Sequence, residues 1–404
     1  MASPARPILP RTEATESPRQ PPALTDELLE EIFLRIASPA DLARASAACV
    51  SFRRLIADPA FLRRYRSLHP PPLLGFLNSS SNPFHFKPVE APCPNAPAAR
   101  ALDRAADFSF DYVPLGRGMQ WYIGDVRSGR VLLVSFPARR DGFRLRDLAV
   151  CDPLSRGYLL LPPVPGDLVA SAQMQQEDLS YFEAFLAPSG EEEDDTSFRV
   201  ICRIKCPSHL VLFVFSSASG LWSVGASTSW DALSLNDLPG AGMPCLTHPR
   251  SADGLLYWKV FSRNKLLKLD INRMELSTID LPPGHEKRDV VIVEAGEGRT
   301  VMVSHISSEK SMCYAIRQNE GQNANEWQME NAILLPVHLK CRLMGAAGGY
   351  IFLVGYPKDY ADHQVHISLH VKTLKIETFC WKGFDLCYAY PYFGFPPSMS
   401  PRRI

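Results

Sequence analysis

The chain has 404 residues, 46% of them hydrophobic and 21% charged, and its 43 basic side chains are balanced by 43 acidic ones. That length exceeds one ordinary core and predicts two or three domains; a net charge of zero argues against a protein built around a nucleic-acid backbone, whose phosphates demand a basic surface. No stretch nears the roughly 18 apolar residues of a membrane span, the longest apolar run being Leu210 to Phe215, so a soluble protein with no membrane or nucleic-acid partner is expected.

Residues 1–22 lack a continuous apolar segment and are interrupted by prolines, which predicts a disordered leader and no secretory signal. Ten scattered cysteines suit a reducing compartment, where they serve as small buried hydrophobes. Asn78-Ser79-Ser80 is a glycosylation sequon only in a secreted chain, so nucleus or cytoplasm is the expected location.

Residues 24–66 contain no glycine and repeat at helical spacing. Leu24, Leu28, Ile32 and Ile36 fall four apart, with Leu29 and Phe33 widening the same face. Thr25 or Asp26 is placed to cap the first helix, and Asp26, Glu27, Glu30 and Glu31 suit its positive end. Ser38-Pro39 and Asp58-Pro59 each pair a capping side chain with a proline at the first helical position, and a further break falls at Val50-Ser51. Three or four short helices follow, with Arg53, Arg54, Arg63, Arg64 and Arg66 gathered at the far end. So small a bundle buries little surface, so part of its apolar stripe is expected to serve a partner.

Residues 67–104 read as a linker with one strand, and from about residue 105 the pattern becomes short strands separated by Gly, Asn, Asp, Ser and Pro. A unit of strand, tight turn, strand and prolyl exit recurs: Leu148 to Pro163 around Asp152-Pro153, and Leu266 to Gly284 around Asp270-Ile271-Asn272. Looser copies span Val211 to Trp222, His366 to Phe379 and Met312 to Trp327. A second element, Asp253-Gly254 before Leu255 to Trp258, is echoed by Gly348-Gly349 before Tyr350 to Val354, and both read as inner strands packed on two faces. Gly254 and Gly349 lie 95 residues apart, two units of a four-stranded propeller blade. Residues 105–395 thus hold about six blades, followed by a tail at 396–404; a pair of β-sandwiches is the all-β alternative and would need no such period.

The helical segment resembles an F-box across residues 23–66. Leu24-Thr25-Asp26-Glu27-Leu28-Leu29-Glu30-Glu31-Ile32-Phe33-Leu34-Arg35-Ile36 follows the family's opening, and Ala48-Cys49-Val50-Ser51-Phe52-Arg53-Arg54-Leu55 its later motif. Thr25 stands where the family has proline, and Phe52 where it has tryptophan, keeping an aromatic anchor of smaller area. The repeat region resembles the F-box-associated β-propellers common in plants, on Val150-Cys151-Asp152-Pro153-Leu154-Ser155 through Leu161-Pro162-Pro163; Pro72 to Leu77 and Phe84-His85-Phe86 resemble the approach to that propeller. The resemblance implies a multidomain α plus all-β protein, a short helical F-box followed by a propeller. It further implies a non-catalytic receptor subunit of a Skp/cullin/F-box ubiquitin ligase. Leu24, Leu28, Ile32, Phe33, Ile36, Leu42, Phe52 and Leu55 would dock a Skp-type adaptor and, through it, a cullin, while the propeller holds a target protein for ubiquitination. The alternative is a propeller module that binds a protein, small ligand or glycan without promoting degradation.

Motifs for chemistry are sparse, and no cofactor is expected. No nucleophile elbow, phosphate loop or His-Glu-x-x-His helix occurs. Gly296-Glu297-Gly298 reads as a hairpin turn rather than a dinucleotide site. Cys202, Cys206 and His209 lack a fourth metal ligand, as do His363, His366 and His370. Glu191 to Asp195 reads as a solvated loop, and the tryptophans Trp121, Trp222, Trp230, Trp258, Trp327 and Trp381 chiefly as blade packing.

Overall fold

The computed structural model describes residues 24–69, 71–78, 84–137, 145–172, 181–188, 197–235, 244–252, 254–296, 299–318, 326–330, 332–357, 364–379 and 389–395. The expected leader, the 396–404 tail, Ser79-Ser80, Glu191 to Asp195, Glu297-Gly298, His363 and Trp381 lie outside these residues. The chain forms two units, Met1–Leu68 and His69–Ile404.

The first unit holds four helices: α1 (Asp26–Leu34), α2 (Pro39–Ala48), α3 (Val50–Ile56) and α4 (Pro59–Leu68). Their starts follow the capping signals. Thr25 accepts from the Leu28 amide at 3.4 Å, Ser38 from Asp41 at 3.3 Å, and Asp58 from Ala60 and Phe61 at 2.8 and 3.2 Å. Each satisfies an amide that has no partner inside its own helix. The core is made by Phe33, Leu34, Leu42, Ile56, Phe61 and Tyr65. Phe33 meets Phe52 edge to face at 4.9 Å, and the buried Tyr65 hydroxyl donates to the Ile36 carbonyl at 2.8 Å. The arginines at the far end fold back onto α1: Arg64 pairs with Glu30 and Glu31 at 2.6 and 2.9 Å, and Arg54 with Asp26 at 3.2 Å.

The second unit is a six-bladed β-propeller. Strands β1 (Leu73–Asn78) and β2 (His85–Pro88) come first, then helix α5 (Ala96–Ala105). Blade one is β3 (Met119–Arg127), β4 (Arg130–Pro137), β5 (Leu148–Asp152) and β6 (Gly157–Leu160), followed by the short helix α6 (Gly166–Ser171). Blade two is β7 (Tyr181–Leu186), β8 (Arg199–Lys205), β9 (His209–Ser216) and β10 (Leu221–Ser229). Blade three is β11 (Arg250–Ala252), β12 (Leu255–Val260), β13 (Lys265–Asp270) and β14 (Glu275–Asp280). Blade four is β15 (Asp289–Gly296), β16 (Arg299–His305), β17 (Ser311–Gln318) and β18 (Gln328–Met329), with β19 (Ile333–Leu334) also paired to β17. Blade five is β20 (Leu339–Ala347), β21 (Tyr350–Pro357), β22 (Val365–His370) and β23 (Ile376–Phe379). The last strand, β24 (Ala389–Phe393), pairs antiparallel with β1 from Leu73↔Phe393 to Asn78↔Ala389 and completes the sixth sheet.

The repeats read from the sequence fall on the third and fourth strands of blades one, three and five; the copy from Val211 to Trp222 covers the third strand of blade two and only the start of its fourth, and the one from Met312 to Trp327 covers the third strand of blade four and stops just before its fourth, β18. The two glycine-led elements sit two blades apart, as their spacing required, but they are second strands. The innermost strand of each of those blades precedes the glycine, because a left-handed turn at Gly254 (φ +69°) or Gly349 (φ +78°) joins first strand to second. Gly296↔Arg299 pairing likewise makes the Gly296 segment the hairpin between β15 and β16. Within 67–104, expected as a linker with one strand, Leu73–Asn78 and His85–Pro88 contribute two strands to the closing sheet, so the propeller is built from both ends of its unit. The core is a series of apolar layers between adjacent blades, such as Val134, Val150, Val200, Phe213 and Phe215 between blades one and two. Two tryptophans latch neighbouring outer edges. Trp222 donates from Nε1 to the Pro162 carbonyl at 2.7 Å, and Trp327 to the Asp280 carbonyl at 3.2 Å.

Candidate functional site

Helix α1 has two apolar faces. Phe33 and Leu34 are buried and Leu29 is half-buried, whereas Leu24, Leu28 and Ile32, spaced by four, stay 54%, 53% and 44% exposed. Val50, at the start of α3, is also exposed. The eight residues expected to touch a partner therefore divide. Leu24, Leu28 and Ile32 present apolar surface to solvent; Ile36, Phe52 and Leu55 are half-buried; Phe33 and Leu42 are interior. Spacing alone does not separate these groups, because an α1 with apolar residues on two sides gives one broad stripe in a helical projection. Leu42 is fully buried in the bundle core and presents no surface in the free helical unit.

In the propeller, charge is concentrated between blades two and three. Arg203 on β8 is fully buried; its Nη2 lies 2.7 Å from Glu183 Oε2 on β7. The two atoms are not aligned as a hydrogen bond, so the attraction is that of a contact ion pair. The guanidinium also lies over the Trp258 and Tyr181 rings, at 5.3 and 5.8 Å. His248 Nδ1 approaches Glu183 Oε1 at 2.9 Å. Burial alone would raise the Glu183 carboxyl, yet Arg203, His248 and Lys205 together hold it below the ordinary carboxylate range. This cluster is not among the sequence expectations; its one signal there is Arg203, a charge set among the apolar residues Val200, Ile201, Cys202 and Ile204 inside the strand Arg199–Lys205.

A four-helix unit with a solvent-facing Leu24, Leu28 and Ile32, followed by a propeller closed by its last strand, agrees with two family models. The F-box-like model matches residues 26–69. The model described as F-box protein AT5G49610-like, beta-propeller, matches residues 122–343, more than half the chain. The chain belongs to this F-box β-propeller family. The family match lies well inside the propeller, whose strands run from Leu73 to Phe393; β1, β2, β24 and all but the start of blade five lie outside it.

No curated protein matches the chain. Among solved structures it is similar to a chain of a nidogen–laminin complex, at 12% identity over 79% of this chain and 96% of that one, with a TM-score of 0.37. It is also similar to the β-propeller domain of the trilobed protease from Pyrococcus furiosus, at 9% identity over 66% and 72% with a TM-score of 0.37. A calcium-binding regucalcin from Agrobacterium tumefaciens matches at 12% identity over 68% and 77%, with a TM-score of 0.34. Likeness at these scores carries no inference about ligands or chemistry.

The weighed motifs take structural places in this family member. Cys202 and Cys206 are buried between blades one and two, where burial pushes the Cys202 thiol upward and makes it inert, while His209 Nδ1 contacts the Ser208 hydroxyl at 3.0 Å. His366 is buried in β22, and His370 bonds Thr373 at 3.0 Å. Among the described residues no group of three or more His, Cys, Asp or Glu is placed to hold a metal ion. No described helix is long and apolar enough to cross a membrane.

Proposed function

We propose that this protein is the substrate-recognition subunit of a Skp/cullin/F-box ubiquitin ligase, acting in the nucleus or cytoplasm. The observation that carries the reading is the exposed row of Leu24, Leu28 and Ile32 on a helix whose opposite side already fills the bundle core. Three large apolar side chains in a row on a small domain are costly in water unless a partner covers them. The adaptor would bury this row, and the cullin would follow through the adaptor. The propeller would hold a target protein, and the subunit would catalyse no bond change itself. Tethering raises the effective concentration of target lysines near a ubiquitin-charged enzyme, so the gain in rate comes from proximity.

The test replaces Leu28→Asp and Ile32→Asp together. Both positions are exposed, so the fold is expected to survive while adaptor co-purification is lost. A double variant that is folded and still captures the adaptor refutes the docking assignment. For the degradation step, proteins labelled by proximity to the intact chain are expected to accumulate when the proteasome is inhibited, and not to be stabilised by the double variant's chain. Labelled partners whose levels never respond would favour a plain binding module.

A further inference from the structure

Around the propeller axis the first strands leave a cavity of about 560 Å³, within the roughly 300–1,000 Å³ of small-ligand sites. Its wall is mainly small and apolar, but four ionisable side chains other than tyrosine line it: Asp125, Arg127, His248 and Arg250. With the histidine neutral these sum to one positive charge. The carboxylates nearby are already engaged. Asp125 accepts from the Val126 and Leu186 amides at 2.8 and 2.9 Å, pinning a bulge in β3 to β7, and Glu183 is held by Arg203.

Among the described residues the two cavity arginines donate hydrogen bonds only to neutral acceptors, although Asp125 and Glu183 attract Arg250 electrostatically without bonding it. Arg127 donates to the Ser251 hydroxyl at 2.9 Å, and its Nε is buried with no acceptor. Arg250 donates to the Met344 and Pro249 carbonyls at 3.1 and 3.4 Å. The enclosed Arg250 guanidinium is admitted by Gly345, where a Cβ would fall 2.7 Å from Nη2. Arginine stays charged in such a site, and a desolvated guanidinium facing carbonyls and a hydroxyl has the donors of an ion pair without its acceptor. Tyr390 and Phe393 on β24 add aromatic surface to the same cavity.

We propose that the axial cavity binds a small organic monocarboxylate, its carboxylate taken by Arg127 and Arg250 and its apolar body set against the β24 aromatics. One net positive charge suits a monoanion better than a phosphate dianion. The cavity lies wholly within the propeller unit, and binding to it does not require the adaptor-docking reading.

The probes are benzoate and phenylacetate, with benzamide, phenylacetamide and inorganic phosphate as controls, on the full chain by saturation-transfer NMR and calorimetry. At least one carboxylate is expected to bind with one-to-one stoichiometry, its amide about tenfold more weakly or worse, since the charge-assisted bonds are lost. Arg127→Gln and Arg250→Gln are each expected to weaken the acid to the level of its amide. On the wild-type chain, light-activated 4-azidobenzoate is expected to label the cavity segments 124–128, 248–251, 344–348 or 389–393. Four results would overturn the site: neither carboxylate binding at millimolar concentration, acid and amide binding equally, phosphate displacing benzoate with equal affinity, or photolabelling confined to other segments. If the variants misfold, the wild-type titrations and photolabelling decide alone.

Discussion

Glu183→Gln tests whether the buried charge cluster holds blades two and three together. Arg203 is fully buried, so removing the only carboxylate within ion-pair reach of it among the described residues leaves a cation with the Trp258 and Tyr181 rings as company. Breaking a buried pair from one side costs about 3–5 kcal/mol; glutamine keeps an oxygen dipole at the same place, which puts the expected loss near about 3 kcal/mol. For a domain larger than about 200 residues each kcal/mol moves Tm by roughly 2 °C, so a fall of about 6 °C is expected by calorimetry at pH 7. Acid supplies the sign. The folded Glu183 carboxyl lies below its ordinary value of 4.5, so the stabilisation is complete above that value and is lost as the pH falls through the folded one. The gap between wild type and variant should therefore close in acid. Replacing both partners, Glu183→Leu with Arg203→Met, should recover most of the loss, because a well-packed apolar pair removes the orphaned charge. A Glu183→Gln chain that melts within about 1 °C of wild type at pH 7 would refute this account of the cluster.

Three further outcomes are expected. Gly348→Ala should cost distinctly more than Gly254→Ala: both glycines have positive φ, a strain of about 1–2 kcal/mol for alanine, but a Cβ at Gly348 lies 2.5 Å from the Phe393 ring whereas Gly254 faces open space; equal urea midpoints would contradict the contact. Trp222→Phe should lose about 1 kcal/mol with its bond to the Pro162 carbonyl, read as an earlier unfolding midpoint, and an unchanged midpoint would remove the latch from the fold's energetics. Leu42→Ala should cost about 2–5 kcal/mol in the helical unit and weaken adaptor capture through unfolding, visible as lost helical circular dichroism; capture lost with the dichroism intact would instead make Leu42 a contact residue.

Much of the helical unit was legible because its signals are local. Ser38-Pro39, Asp58-Pro59 and Thr25 each act within one turn, and the helices begin where they stand. Helix α5, inside the span expected as a linker, had the alanine-rich composition to be found, but no side chain of Asn95 caps it, and its apolar face makes sense only against β1 and β2. The propeller hairpins were visible through their turns, where Asp152 and Asp270 oxygens accept the amides two residues on, at 3.1 and 2.9 Å. First strands were the hardest to see. In blade one the first strand carries half-exposed residues and a bulge at Gly124, and lacks the unbroken apolar run of the second, Val131 to Val134.

By itself the sequence determined the helix boundaries, the repeat of strand, turn and strand, and the two-part division of the chain, since caps, turns and hydrophobic period act over a few residues. Its neutral charge total said nothing of where charge sits. Tertiary structure alone decided that Leu24, Leu28 and Ile32 face water while Phe33 and Leu42 do not, that β24 closes the ring with β1, and that Arg127, Ser251, Arg250 and Met344, drawn from three blades, meet at one axis. The physical reason is range: the ring closure and the axial contacts join residues about a hundred or more positions apart, and no local propensity encodes which distant strand will lie across the axis.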